Sequence, residues 1–315
     1  MENQRNLSLD ILKIILAVSV VFLHCHFLKD VSNIGYFSTV EGLFRLAVPT
    51  FLIISGFYFY NVTNLDKLKK WVIRLGSLYL IWMLIYSPFW LDLYNIPKIL
   101  FTLLNGYYVL WYLIGALFSG IIVYFIQNLK TSIQISLILI LFLLGCTIQL
   151  IGNMHIFNGI IDKLLNYNPI HRNFLFFCLP FFLIGYLINK HEIHKRVEVT
   201  FPILLITLFL VVLESNLNRL FVSSSENLDQ IFTLILAAPV LFLFFKKINL
   251  PGKNKELANI STAIYLIHPM ILITLINSLD YIDFGSVGNS LVVLTLSFIS
   301  AIALVIINKK LKYIL

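Results

Sequence analysis

The sequence predicts an all-α fold: a polytopic membrane helix bundle of about ten transmembrane helices, in a single domain over residues 1–315, with both termini cytoplasmic. Three observations lead there. Hydrophobic residues make up 59% of the chain and charged ones only 12%, against about 25% charged in a soluble domain, and the mean hydropathy is +0.91. Such a surface is stable where lipid, not water, is the solvent. Apolar runs of spanning length recur along the whole chain. Basic residues fall between those runs, and in alternate connections.

The elements follow in order. A span needs about 20 apolar residues, which places helices near 9–28, 41–60, 71–91, 108–126, 133–151, 173–189, 200–217, 228–246, 261–277 and 288–308. The first follows Arg5 and has no A-x-A-like cleavage site, so it is expected to be retained as a span and not removed as a leader. The second carries Arg45, Pro49 and the small pair Ser55 and Gly56. Proline is expected to kink it, and the small pair to allow close helix approach. Segment 97–104 is too short to span and reads as an interfacial or re-entrant piece. The tenth helix completes the bundle, and no loop is long enough for a separate soluble domain.

Charge orients the bundle. One set of connections holds Arg5; Lys67, Lys69, Lys70 and Arg74; Lys130; Lys190, Lys195 and Arg196; Lys246, Lys247, Lys253 and Lys255; Lys309, Lys310 and Lys312. The other holds Lys29, Lys98, Lys163, Arg172 and Arg219. Sixteen against five places the richer set, and the N-terminus, inside. The net charge of +8 therefore belongs to topology and not to nucleic-acid binding. The three cysteines, Cys25, Cys146 and Cys178, lie in or beside apolar runs without metal-ligand spacing, so neither a metal nor a disulfide framework is expected.

Ionisable residues inside a span cost about 2.5–3.5 kcal/mol or more and call for a reason. The first helix holds Asp10, Lys13, His24 and His26. Lys13 and His24 are eleven positions apart, about three turns plus 20°, so they share one helix face at roughly 16 Å separation. Lys13 then lies toward the cytoplasm and His24 in the outer half. Read blandly, Lys13 snorkels to the headgroups, and His24 and His26 are interfacial. Arg45 offers a rigid fork of donors at about the depth of His24, or forms a structural pair with Glu41 one turn earlier. Trp111 and Tyr112 read as an interfacial anchor or as a platform for a ligand. His268 lies too deep for a surface histidine and precedes Pro269.

Together these segments resemble the acyltransferase-3 family of integral membrane O-acyltransferases. The matching pieces, in order, are Leu9 through His24, FRLAVPTFLIISGF (Phe44 to Phe57), LWYLIGAL (Leu110 to Leu117), the span entered by Arg172 with LPFFLIGY (Leu179 to Tyr186), and STAIYLIHP (Ser261 to Pro269). They extend over most of the chain. Two departures stand out. Lys13 takes the place of the family's arginine, and the family's paired arginines appear as Lys70 and Arg74, four apart instead of three. The hydrolase-like domain fused to some members is not expected here.

The resemblance implies transfer of an acyl group, often acetyl, from cytoplasmic acetyl-CoA to a hydroxyl of an extracytoplasmic or lipid-linked glycan, in the inner membrane of a bacterium. Surface polysaccharide, capsule or lipopolysaccharide would then be the acceptor. It implies His24 as base or transient acyl carrier and Arg45 as a catalytic charge at the carbonyl oxygen. Lys13, Lys70 and Arg74 would bind the coenzyme A phosphates. Trp111, Tyr112, Arg172 and His268 would bind the acceptor. Asp10 would orient Lys13. A transporter or flippase of a lipid-linked sugar is the rival reading, though related halves and glycine-interrupted helix pairs are missing. A sensor or binding domain that kept the fold is a third.

Overall fold

The computed structural model describes residues 5–248, 250–252, 255–278, 284–311 and 313–315; Lys253 and Lys312 of the basic connections lie outside them. The chain is a helical bundle with one two-residue antiparallel bridge, Arg5–Asn6 against Pro251–Gly252. The long helices are α1 (Leu7–His24), α2 (Ala47–Phe59), α3 (Leu65–Ile85), α4 (Trp111–Ile126) and α5 (Thr131–Asn153). They continue with α6 (Leu179–Lys190), α7 (Phe201–Phe221), α8 (Leu234–Lys247), α9 (Glu256–Ser278) and α10 (Gly285–Asn308). Each of the ten expected stretches contains a helix. By length and apolarity seven segments can cross a membrane: α1, the 33–59 segment that ends in α2, α4, α5, α7, α9 and α10. The other three are shorter, or carry the basic residues of the α3 start. The protein is a multi-pass membrane protein, and its outer faces are apolar: Leu84 is 73% and Phe209 63% exposed.

Lipid tails are as apolar as leucine, so backbone proximity and internal polar contacts hold such helices together. The α2–α6 pair shows how. A Cβ on Gly56 would stand 1.9 Å from the Phe182 carbonyl oxygen, and one on Gly185 2.0 Å from that of Ile53. The two backbones touch because both positions lack a side chain. Asn189 Nδ2 then donates to the Phe57 carbonyl at 2.7 Å. A second cluster of small buried residues, including Ala17, Ala263 and Ala301, seats α1 and α10 on α9.

At one end the bundle is stapled by its terminal segments. Asn6 caps α1 by accepting from the Ser8 N–H at 3.0 Å. The Ser8 hydroxyl reaches the Phe245 and Ile248 carbonyls at 2.5 and 2.6 Å. Trp82 Nε1 donates to the Ile314 carbonyl at 2.9 Å.

Three expectations are corrected. The span near 41–60 is not one helix. A short helix (Asn33–Thr39) and a 3₁₀ turn (Leu43–Leu46) precede α2, and Arg45 sits in that turn. Pro49 therefore does not kink a span. It lies in the first turn of α2, where its missing N–H has no intrahelical partner to lose. The expected 228–246 helix begins only at Leu234. Residues 228–233 stay irregular because side chains take their N–H groups. Glu41 binds Leu228 (2.7 Å), Gln149 binds Gln230 (2.9 Å), and Glu214 binds Phe232 and Thr233 (both 2.7 Å). The short 97–104 segment is the helix Ile96–Asn105, with Leu100 and Leu104 exposed, as an interfacial piece requires.

Candidate functional site

Two cavities open on the shared face of α1. The smaller, of about 40 Å³, is lined by His24, Arg45, Trp111, Arg172, Asp229 and Tyr265 among others. The larger, of about 790 Å³, is lined by Lys13, Arg74, Lys246 and Lys255, with Asp10, Tyr112 and Tyr265 also in its wall. Lys13 and His24 thus face different chambers along one helix, as their spacing predicts.

Around His24 the packing is aromatic. Its ring centroid is 5.4 Å from that of His268 and 5.0 Å from that of Tyr108. His268 is fully buried, with Nδ1 3.1 Å from the Ile264 carbonyl. A carbonyl only accepts, so Nδ1 carries the hydrogen. Nε2 is left a buried acceptor without a partner. His268 stands behind His24 and lines neither cavity, so it is placed to touch His24 and not an acceptor.

The charges at this end form a closed group. Arg45 donates to Glu41 at 2.5 Å and to Asp229 at 2.6 Å. Arg172 donates to the same Asp229 oxygen at 2.9 Å. The Arg172 guanidinium lies 5.2 Å from the Trp111 ring centre, and His171 is 3.7 Å from the second Asp229 oxygen. Burial strips the Asp229 carboxylate of water, and the Arg172, Arg45 and His171 side chains around it offset that cost. Glu41 also accepts from Tyr36, whose hydroxyl is 3.2 Å from His26 Nδ1. The Arg45–Glu41 pair expected as a structural alternative is thus present, within a larger network. Of the Arg45 donors, Nε is buried without a partner.

The larger cavity sets four cationic side chains against one acidic one, Asp10. Asp10 lies 3.5 Å from Lys13 Nζ, one turn apart, which fits the expected orienting contact. Such a chamber suits a polyanion with an apolar tail. Among the described residues no group of three or more His, Cys, Asp or Glu side chains is placed to hold a metal.

Some expected site residues are elsewhere. Lys70 is exposed on α3 and lines neither cavity, whereas Arg74 and Trp71 do line the larger one. Trp111 and Tyr112 do not act as one platform. Neighbours on a helix diverge by about 100°, so Trp111 faces the small cavity, while Tyr112 faces the large one with its hydroxyl 3.2 Å from Ser55. Sequence reasoning missed Asp229, His171, Tyr265, Lys246 and Lys255 as site residues. An acid inside the expected 228–246 span was the available signal for Asp229. The two lysines were counted only as loop charge.

The acyltransferase domain model matches residues 6–308. The chain belongs to the acyltransferase-3 family. The two chambers are therefore those of an acyltransferase-3 member. Two curated relatives, both named amino-acid racemase from Enterococcus faecalis, are similar to it. One is 23% identical over 97% of this chain and 47% of its own length. The other is 26% identical over 58% of this chain and 28% of its own length. The chain thus spans less than half the length of these relatives. No solved structure matches.

Proposed function

We propose that this acyltransferase-3 member is an O-acyltransferase of the bacterial inner membrane. It would move an acetyl group from cytoplasmic acetyl-CoA to a hydroxyl of an extracytoplasmic or lipid-linked glycan. The observation that carries this reading is that Lys13 and His24 face two chambers on one helix, with Tyr265 between them. The cationic chamber suits the diphosphate and 3′-phosphate of coenzyme A, through Lys13, Arg74, Lys246 and Lys255. The family match supports the transfer chemistry. The basic connections, sixteen against five, support the orientation with both termini inside and about ten spans.

In this reading the acceptor hydroxyl attacks the thioester carbonyl carbon. A C–O bond forms, the C–S bond breaks, and the electron pair leaves on the coenzyme A sulfur. Neutral His24 takes the hydroxyl proton and returns it to the thiolate, so the reaction is proton-neutral. Arg45 Nε–H is the donor for the carbonyl oxygen as it becomes negative, since the remaining Arg45 contacts hold it in place. His268 positions the His24 ring. Trp111 with Arg172 would guide the acceptor hydroxyl to the small chamber from outside it.

Labelled acetyl-CoA offered to membranes carrying the full chain tests this. Label should enter the glycan fraction, and His24→Ala should reduce it by about 10²-fold or more at equal protein level. Unchanged transfer by that variant removes His24 from the chemistry. Label that never leaves coenzyme A, while a lipid-linked sugar crosses the membrane, would make the protein a transporter.

A further inference from the structure

Tyr265 lines both chambers. Its ring is fixed on every side. The hydroxyl donates to the Val109 carbonyl at 2.7 Å, and the ring packs edge-on to Tyr112, Phe51 and His268 at centroid distances of 5.6, 6.0 and 6.2 Å. Phe51 and Tyr112 lie 6.1 Å apart and face only the larger chamber. Three rings therefore make one wall, and Tyr265 is the member of it that also faces His24. The volumes on its two sides differ sharply, about 790 Å³ against about 40 Å³. A water needs roughly 10–15 Å³ on that measure, so the small side has room for about three heavy atoms. A carbonyl with one methyl group is that size.

We propose that Tyr265 sets acyl-chain length. The proposal rests on the larger chamber being the donor site. An acyl group carried there meets His24 only at the edge of the Tyr265 ring. The space beyond holds two carbons and an oxygen, and Phe44, Phe177 and Val48 stand in its wall, where a longer tail would meet them. The tie to Val109 keeps the ring from swinging aside, because Val109 is the middle residue of the 3₁₀ turn Tyr108–Leu110 that leads into α4 and is itself buried. Removing the ring would join the chambers and give a longer chain the volume now filled by the phenol.

The test uses membranes carrying the full chain and three labelled donors: acetyl-, butyryl- and hexanoyl-CoA. Label in the glycan fraction is read for each. Wild type should favour acetyl over hexanoyl by about 100-fold or more, since each methylene without room discriminates about 10-fold or better. Tyr265→Ala should reduce that ratio at least about 10-fold by raising hexanoyl transfer. Tyr265→Phe keeps the ring and should keep most of the preference. If Tyr265→Ala does not accumulate, Tyr265→Leu takes its place with the same expected direction. An unchanged ratio in whichever variant is present at wild-type level overturns the proposal. So does loss of transfer from all three donors, because the ring would then be needed for the reaction itself. Wild type that transfers from none of them sinks the donor-site reading, a failure distinct from a wild type that transfers without preference.

Discussion

The two ends of the shared α1 face use positive charge in opposite ways. At the wide end, four cations line a chamber whose one acidic side chain is Asp10. At the narrow end, Arg45 and Arg172 are pinned by Glu41 and Asp229 within hydrogen-bonding distance. The first arrangement keeps positive potential for a mobile anion. The second spends it on framework: two guanidinium groups and two carboxylates are mutually neutralised and hold rings and backbone in place. A buried arginine is therefore no evidence of anion binding until its partners are counted. Here the Arg45 nitrogen without a partner is Nε.

The sharpest way to break this contrast is Asp229→Ala. Two arginines would lose their common partner, and removing one member of a buried pair costs about 3–5 kcal/mol. A matching drop in the melting temperature of the purified protein is expected, with loss of transfer. Unchanged melting and transfer in that variant would mean that the two guanidinium groups do not depend on Asp229.

Next in size is the backbone contact between α2 and α6. Gly56→Ala drives a methyl group into the Phe182 carbonyl, and overpacking costs about 1–3 kcal/mol. Melting should show it, whereas Gly76→Ala, where a Cβ meets nothing within 4 Å, should not destabilise. Equal effects would mean that α2 and α6 can separate freely.

A smaller effect sharpens the comparison at the wide end. Arg74→Ala and Lys255→Ala should each raise the KM for acetyl-CoA by about 10-fold, or roughly 1.4 kcal/mol, with kcat unchanged. Lys70→Ala, on the exposed face, should match wild type. At the narrow end, Arg172→Lys should instead lower kcat, since a lysine loses the planar stack on Trp111. A KM effect there would erase the distinction between the two ends.

The smallest effect concerns an exposed clip. His155 lies 3.0 Å from Asp162 and 3.6 Å from Glu226. The Asp162 hydrogen bond, with the charges of both acids, outweighs partial desolvation and raises its pKa. A raised imidazole contributes below its unfolded value and stops contributing as pH rises through the folded one. His155→Ala should thus melt slightly earlier than wild type at pH 5.5 and together with it at pH 9. A difference that grew with pH would reverse the sign of the interaction.

Composition and run length alone were enough to establish a helical membrane bundle, because lipid admits no other open arrangement of backbone. Helical periodicity was enough to put Lys13 and His24 on one face, since both lie in one uninterrupted helix. Where the helix breaks, that logic fails. Arg45 was assigned to a continuous span, yet it occupies a 3₁₀ turn, because Glu41 and Asp229, 184 residues away in the second case, hold it there. Lys70 and Arg74 share a motif but not a fate: both are exposed, and only Arg74 lines the larger chamber. Trp111 and Tyr112 are adjacent in the chain and serve different chambers. Asp229 became visible as a site residue only when Glu41, Gln149 and Glu214 captured the 228–233 backbone and denied it a helix. Contacts within one helix follow from spacing. Contacts between helices depend on which side chains reach across, and no local pattern encodes that.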